Sequence, residues 1–457
     1  MMQTIVSRLR QSASVKVFTI GILILLLLIP LGMVRETIND RDQIHQAAKL
    51  DIQRTWGQSQ LIAGPVLVLP YDLVHVDSRG ERFVNRTEMY VLPQKLDIDA
   101  SVDSEIRYRG IHRVPVYSAR IRLHGLFAAI DTGDLGINDA NIHWADASIV
   151  VGVSDGRAIV ETPNLEINGV SVAFVPGGQL VAGLPPQIQA PLRDILESGR
   201  AGDLVFDTVL NIKGSESLSF LPLGDTTRAS VESTWSSPSF SGNYLPHARE
   251  VTDDGFSADW QVSSIGRSFP SQWTKASGAA TAAGSAVFGV DLYMPISVYR
   301  LTLRAVTYGV LFIVLTFVSY FMFEVIAGLR LHPLQYLMVG SANVIFFLFL
   351  ISLAEHIGFG WSYIVSALAS SGLVVSYSYS VLNQRGRAMI VCGVLFVLYC
   401  FLYMTLTAET YALLAGSIGL WAALAMIMYL TRRIDWYERP VPTDSDSDDG
   451  QKELFGV

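Results

Sequence analysis

The chain has 457 residues, half of them apolar and only 16% charged, against about 25% charged in an ordinary soluble domain. Its formal charge of −8 argues against nucleic acid as a partner, because phosphates call for a basic surface. The two cysteines, Cys392 and Cys400, share one apolar run. On a helix that spacing separates their Cα atoms by ~12 Å, beyond the ~7 Å limit for a disulfide.

Residues 1–16 carry Arg8, Arg10 and Lys16 and read as a cytoplasmic N-terminus. Val17–Val34 follows as an apolar run long enough to cross a bilayer, which takes about 17–25 residues at ~1.5 Å of rise each. Its apolar core exceeds the ~7–15 residues of a cleaved signal, and Val34-Arg-Glu-Thr-Ile-Asn39 offers no small-x-small cleavage site. The run (17–34) therefore reads as a retained transmembrane signal anchor, with Pro30 tolerated because neighbouring helices satisfy the freed carbonyl. Residues 35–57 are polar and helix-favouring, with Ile38, Ala48, Ile52 and Trp56 on one face and Gly57 as a stop. This is the pattern of a helical stalk.

From 58 to 275 the hydrophobic period turns towards two. Candidate strands are Pro65–Tyr71, Glu105–Arg109, Ala119–His124, Ala147–Val153, Leu165–Asn168, Leu204–Ile212 and Phe256–Val262. Turn-forming residues separate them, as in sandwich or barrel-like sheets. This region is read as a periplasmic β-rich domain. The Pro- and Gly-rich stretch Pro176–Asp203 leaves open whether it forms one subdomain or two. Residues 276–304, which open on an Ala, Gly, Ser and Thr stretch, read as a linker.

Ala305–Phe323, Gln335–Leu353, Trp361–Leu382, Met389–Thr407 and Ala412–Leu430 are further apolar runs of membrane-spanning length. They predict a five-helix transmembrane bundle over 305–430. The fold class is thus an α-helical polytopic membrane protein with a large, mainly β extracytoplasmic domain of sandwich-like sheets. Arg330, Arg385, Arg387, Arg432, Arg433 and Arg439 lie in alternate loops, while Ala354–Gly360 and Ala408–Tyr411 hold no Lys or Arg. With Arg8, Arg10 and Lys16 this places both termini of a multi-pass membrane protein in the cytoplasm. Arg35, Arg300 and Arg304 fall on the outer side as exceptions to the rule. The end of the chain, 431–457, is a cytoplasmic acidic tail, where Thr443–Gly450 has nothing apolar to bury.

Signs of catalysis are sparse. His112, His124 and His143 lack metal-ligand spacing, and no nucleophile elbow, phosphate loop or His-Glu-x-x-His appears. No catalytic residue, cofactor or metal is assigned, and the chain is read as a non-enzyme. The candidate functional polar residues lie in the bundle: Glu324, Arg330 and His332 on the cytoplasmic side, Asn343 at mid-membrane, and Glu355 and His356 on the outer side. A carboxylate beside a histidine fits either a titrating pair or an interfacial anchor. Asn343 fits a helix–helix hydrogen bond or a substrate contact. Ser362, Ser366, Ser370, Ser376 and Ser380 share one sector of their helix, with Ser371 and Ser378 off it, and read as packing positions. So do Ala415, Gly419 and Ala423 in the last run.

Several strings carry a resemblance. They are Trp56-Gly57, Gly64-Pro-Val-Leu-Val-Leu-Pro-Tyr71, Val114-Pro-Val-Tyr117 and Gly214-Ser-Glu-Ser-Leu-Ser-Phe-Leu-Pro-Leu-Gly224. Pro238-Ser-Phe-Ser-Gly-Asn-Tyr-Leu-Pro246, Trp260-Gln-Val-Ser263 and Phe288-Gly-Val-Asp-Leu-Tyr-Met-Pro295 follow. The bundle adds His332-Pro-Leu-Gln-Tyr336, Glu355-His-Ile-Gly358 and Tyr429-Leu-Thr-Arg-Arg-Ile-Asp-Trp436. Together they resemble the bacterial inner-membrane CreD family over nearly the whole chain, excluding the acidic tail. The resemblance implies a role in cell-envelope integrity, colicin tolerance and a two-component response linked to β-lactam susceptibility. It implies no reaction and no catalytic residues. The expected function is a non-enzymatic envelope protein in the lipid bilayer, whose periplasmic domain binds an envelope protein partner. The alternative is a transporter-like or lipid-handling protein that works through its bundle.

The Lys and Arg distribution has a direct consequence. A cysteine placed at Gly156 is labelled from outside the cell and one placed near Arg385 only from the cytoplasm. Labelling of Gly156→Cys from the cytoplasmic face alone contradicts this topology.

Overall fold

The structure is a computed structural model that describes residues 13–76, 81–130, 132, 135–196, 202–294, 298–327, 331–382, 385–408 and 411–432. Arg330, the N-terminal Arg8 and Arg10, and the acidic tail lie outside the described residues. The chain divides into two compact units, Met1–Asp42 with Ile296–Val457, and Gln43–Pro295. Helix α1, Ala13–Trp56, belongs to both: anchor and stalk are one uninterrupted helix of 44 residues with Pro30 inside it. The single face expected for the stalk is shared out. Ile38 is buried among bundle side chains, whereas Ile52 is buried against Val114 and Val116 of the β unit.

The strands, in chain order, are β1 (Gln60–Val76), β2 (Arg82–Val91), β3 (Lys95–Arg109), β4 (His112–Phe127), β5 (Ser148–Val153) and β6 (Asn164–Ile167). Then come β7 (Val170–Ala173), β8 (Val175–Gly178), β9 (Gln187–Pro191), the one-turn helix α2 (Arg193–Leu196), β10 (Leu204–Ser215), β11 (Ser217–Phe220) and β12 (Thr226–Ser233). The unit ends with β13 (Pro238–Gly242), β14 (Ala248–Thr252), β15 (Gly255–Ser263), β16 (Gln272–Thr274), α3 (Ala279–Ser285) and β17 (Phe288–Leu292). Every strand expected from the alternating pattern is present.

Two sheets result. The nine-stranded sheet runs β13-β17-β11-β1-β5-β9-β8, with β2 on β1 and β16 on β2; the eight-stranded sheet runs β14-β15-β12-β3-β4-β10-β6-β7. Alternation works best in the second: β10 buries every other residue from Leu204 to Gly214. Side chains of both sheets form one hydrophobic core. Trp260 of β15 packs on Phe288 of β17 with ring centroids 5.6 Å apart, and Phe288 packs on Phe220 of β11 at 5.9 Å. The first contact joins the sheets face to face, and the second lies within the nine-stranded sheet.

Gln43–Pro295 forms one compact unit around one core. Val181 and Leu184, within the Pro- and Gly-rich stretch, are buried, and Tyr90 donates a hydrogen bond to the Leu180 carbonyl at 2.9 Å. The stretch covers the nine-stranded sheet, which explains why β5 is buried at every position instead of alternating. Nor are residues 276–304 a linker. Ala280 and Ala283 of α3 are buried, and β17 lies inside the sheet between β13 and β11. A small-residue stretch reads as flexible by composition, but small side chains also let a helix lie close to a sheet.

The second unit contains α4 (Val298–Ala327), α5 (Pro333–Ile357), α6 (Phe359–Leu382), α7 (Arg385–Thr407) and α8 (Ala412–Thr431) together with the first part of α1. Among the described residues, five helices (α1 and α4 to α7) are long and apolar enough to cross a membrane, and α8 adds a helix of 20 residues. Leu27, Leu31, Val34 and Ile38 follow the i, i+4, i+7, i+11 stripe of a helix and are the buried side of α1. Gly340 of α5 permits the approach, since a Cβ there would lie 2.2 Å from Leu27 Cδ1 and 2.8 Å from Phe317 Cζ. Gly419 does the same for α8, where a Cβ would meet Phe401 of α7 at 2.1 Å. Cys392 and Cys400 are both exposed and unbridged.

The serine stripe needs correction. Ser362, Ser366, Ser370 and Ser378 are buried, while Ser376 and Ser380 are exposed. Packing follows the i, i+4 ridge, which climbs around the helix, not a fixed sector.

The β unit has a sharp C-terminal limit. A fragment ending at Lys275 lacks β17, and so loses the buried Phe288, Val290 and Leu292, each worth about 1.5–3 kcal/mol. A fragment of residues 43–294 is expected to unfold cooperatively with a β-rich circular dichroism spectrum, and one of residues 58–275 to aggregate. Equal stability of the two in urea contradicts the assignment of β17 to the core.

Candidate functional site

Among the described residues no group of three or more His, Cys, Asp or Glu side chains forms a metal-binding cluster. The specific polar geometry lies instead at three places along α1, two in the bundle and one in the β unit.

At the beginning of α1, Lys16 forms an ion pair with Glu324 near the end of α4. The Glu324 side chain is only 4% exposed. It also accepts the Tyr336 hydroxyl at 2.9 Å and the Leu331 N–H at 3.3 Å. Further along, Arg41 lies 3.9 Å from Glu355, whose side chain is 7% exposed, and the Tyr299 hydroxyl donates to Glu355 at 3.1 Å. The two arrangements mirror each other. In each, α1 gives a cation, and the antiparallel pair α4 and α5 gives one carboxylate and one tyrosine, with the roles of the two helices exchanged. Lys16 and Arg41 are ~37 Å apart along the helix at ~1.5 Å per residue, so the clamps sit at the two borders of ~30 Å of hydrocarbon. A buried carboxylate persists there only if it is paired and hydrogen-bonded.

The histidines do not join them. His332 is the N-cap of α5: its Nδ1 accepts the Leu334 N–H at 3.3 Å, and Gln335 Oε1 accepts the His332 N–H at 2.9 Å, with Pro333 at the first turn. This reciprocal cap explains the string His332-Pro-Leu-Gln-Tyr336. His356 is exposed, and its Nδ1 lies 3.1 Å from the Ser352 carbonyl of its own helix. Glu324 and Glu355 are not paired with these histidines; their partners are the cations of α1 and two tyrosines. The partners that matter, Lys16, Arg41, Tyr299 and Tyr336, are distant in sequence and carry no periodic signal.

Asn343 is fully buried, and neither its amide oxygen nor its nitrogen has a hydrogen-bond partner; the same holds for the Ser366 hydroxyl. The helix–helix bond expected of Asn343 is made elsewhere. Ser370 donates to the Ala342 carbonyl at 2.9 Å, Tyr399 to Ser370 at 3.1 Å and Tyr363 to the Tyr399 carbonyl at 2.7 Å, and Tyr320 bonds Ser378. Tyrosine hydroxyls on aromatic-rich helices were the unread signal.

In the β unit, three of the recurring strings meet at the end of α1. Gly57, with φ +149°, stops the helix where a Cβ would lie 2.7 Å from the Lys213 carbonyl. Trp56 Nε1 donates to the Tyr117 carbonyl at 3.1 Å, and Ser215 Oγ to the Gly57 carbonyl at 2.9 Å. Arg107 and Lys213 both lie 4.3 Å from the Trp56 ring centroid, a cation–π arrangement. Glu216 accepts Gln53 Nε2 at 2.7 Å and pairs with Lys49, and Asp51 pairs with Arg109. His45 and His112 face each other through Nδ1 atoms 3.1 Å apart. Burial pushes the Tyr117 hydroxyl well above its ordinary pKa, so it stays protonated and donates to the Ser217 carbonyl at 2.7 Å.

The outer face of the eight-stranded sheet holds a polar cleft of about 390 Å³ lined by Asp97, Asp99, His124, Arg228, His247 and Asp259. His124 lies between two carboxylates, 3.7 Å from Asp97 and 3.7 Å from Asp99. His143 instead reaches Asp72 at 3.0 Å, remote from that cleft.

Comparison with known proteins agrees with the geometry. The family model described as inner membrane protein CreD matches residues 12–437. Inner membrane protein CreD of Escherichia coli (strain K12) is 32% identical over 423 residues, covering 92% of each chain. Among solved structures, an M1 zinc metallopeptidase from Deinococcus radiodurans overlaps 65% of this chain and 73% of its own at 10% identity, with a TM-score of 0.20. That value is too low to bear on fold or chemistry.

The clamps make a measurable claim. Glu324→Gln and Glu355→Gln each remove a buried carboxylate's ion pair while leaving its tyrosine, and each is expected to cost about 1–3 kcal/mol. Removing the whole pair with Lys16→Met and Glu324→Leu is expected to recover part of that loss. Thermal unfolding in detergent reads both effects, and an unchanged midpoint in both Gln variants refutes the clamps.

Proposed function

Because the chain belongs to the CreD family of inner-membrane proteins, we propose that it supports cell-envelope integrity under stress without catalysing a reaction. In this reading both termini are cytoplasmic, and the β domain, on the far side of the membrane, binds another envelope protein. One observation carries it. The buried carboxylates of the bundle, Glu324 and Glu355, are engaged by cations of α1 and by tyrosines. They fasten an anchor instead of facing a cavity. The cleft around Asp97, Asp99 and Asp259 offers a charged surface that steers and orients a partner of complementary charge.

A second reading, a transporter-like or lipid-handling protein, is favoured by Asn343 and Ser366. Buried polar groups without partners cost about 1–3 kcal/mol each and are kept where something else repays the cost. A single substitution separates the readings. If the bundle only supports the anchor, Asn343→Leu removes an unpaired amide, and the variant matches or exceeds the wild type in thermal stability and in envelope-stress survival of a complemented deletion strain. A well-folded Asn343→Leu protein that no longer protects the envelope, together with solute flux in proteoliposomes of the wild type, decides for transport. In-cell crosslinking from the cleft, with Asp99 replaced by a photoreactive residue, is expected to capture one discrete envelope protein. Crosslinks to lipid alone contradict partner binding.

A further inference from the structure

The bundle has a crevice of about 310 Å³ between α4, α7 and α8, lined almost wholly by apolar side chains, among them Tyr308, Leu311, Phe312, Leu398, Phe401 and Leu420. It occupies one half of the bundle. Tyr308, Leu311 and Phe312 lie in the first half of α4 with Leu315 just past its middle, Leu398 to Thr405 lie in the last turns of α7, and Gly416 to Leu420 in the first turns of α8. These three helix ends lie at the same border of the membrane. Gly416 forms its floor without filling it: a Cβ there would meet only Tyr308 Cε1, at 3.8 Å. The space offers little to water, because the hydroxyls of Thr405 and Ser417 donate to carbonyls of their own helices at 2.9 Å each and the rest of the lining is almost wholly apolar.

Above the crevice stands Arg304. It belongs to the stripe 304, 308, 311, 315 that presents Tyr308, Leu311 and Leu315 to the crevice, one turn (~6 Å) nearer the membrane border. Arg304 is exposed, and none of the described carboxylates forms an ion pair with it, whereas Arg300, one turn further out, has an interaction of its own. A guanidinium at the border, directly over an apolar slot in the hydrocarbon, matches one kind of molecule in both parts. The phosphate of a lipid is a bidentate acceptor for arginine, and its acyl chain fits the slot.

We propose that Arg304 and the crevice between α4, α7 and α8 form a binding site for one anionic phospholipid, the phosphate on Arg304 and an acyl chain along Tyr308, Leu311 and Phe401. This goes beyond the envelope-support reading and stands whether or not that reading does. It also accounts for an arginine that violates the charge rule of the topology: its counter-charge is a lipid, not a translocation signal.

Native mass spectrometry of the full chain, purified in detergent and supplied with phosphatidylglycerol or phosphatidylcholine, reads the site directly. The wild type is expected to retain one phosphatidylglycerol in preference to phosphatidylcholine. Arg304→Gln, on the surface, is expected to lower that retention about tenfold, with Arg304→Lys intermediate. Gly416→Leu, which fills the slot, is expected to lower retention of both lipids, its helical circular dichroism confirming that it folds. Added phosphatidylglycerol raises the thermal midpoint of the wild type more than that of Arg304→Gln. Unchanged retention in Arg304→Gln or in a folded Gly416→Leu overturns the proposal. So does displacement of the lipid by millimolar inorganic phosphate, which would make Arg304 a plain anion site.

Discussion

A charge in hydrocarbon has to find its opposite, and this chain is organised around two such pairings. α1 carries Lys16 and Arg41, and the bundle meets them with Glu324 and Glu355, each buried and each held by a tyrosine. Burying one carboxylate alone would cost several kcal/mol, so each depends on its cation and its tyrosine. The apolar stripe Leu27, Leu31, Val34 and Ile38 lies between the two pairs and fits beside Gly340. The pairs set the register of the helix, and the stripe supplies the packing. Nothing holds α1 by hydrophobicity alone, because lipid would solvate the same leucines equally well.

The β unit meets the end of the same helix with a different chemistry. Trp56 lies between Arg107 and Lys213 and donates to the Tyr117 carbonyl, while Glu216 takes Gln53 and Lys49. Outside the membrane, water competes for every exposed ion pair, so the anchoring there rests on aromatic burial and on bonds to backbone carbonyls. A comparable group lies deeper in the unit. The Arg267 guanidinium is buried, donates to the Leu223 and Gly224 carbonyls at 3.0 and 2.9 Å, and reaches Asp225 at 2.6 Å. Burial lowers its pKa and Asp225 offsets that effect, so it remains a cation that ties together two connections crossing between the sheets, β11 to β12 and β15 to β16.

The strings that carry the resemblance acquire physical meanings once the fold is known. His332-Pro-Leu-Gln-Tyr336 is a helix cap that ends on a carboxylate's tyrosine, and Glu355-His-Ile-Gly358 supplies a carboxylate and then ends the helix at Gly358, whose φ is +77°. Trp260 and Phe288 join the two sheets, with Trp260 Nε1 donating to the Tyr244 carbonyl of a third string. Each is a place where the backbone must turn, stop or be crossed by a large ring. The residues there are constrained by geometry that no reaction requires.

The sequence by itself determined what depends on local periodicity and on solvent. A run of apolar residues can only be a helix in a bilayer, and alternation can only be a strand with one wet face. The spanning helices and strands such as Leu204–Ile212 were therefore legible in advance. It also exposed Glu324, Asn343 and Glu355 as unusual. Only the tertiary structure decided what those residues meet. Lys16 and Glu324 are separated by 308 positions, and nothing in the residues between them encodes their encounter. The same limit hid the cover formed by Val181 and Leu184, the place of β17 in its sheet, and the buried turn of Ser378. A composition rich in Gly, Pro or Ala has the same local signature whether it spans a gap or lies against a core. Which of the two it does depends on the surface waiting for it, and that surface is made by residues far away in the chain.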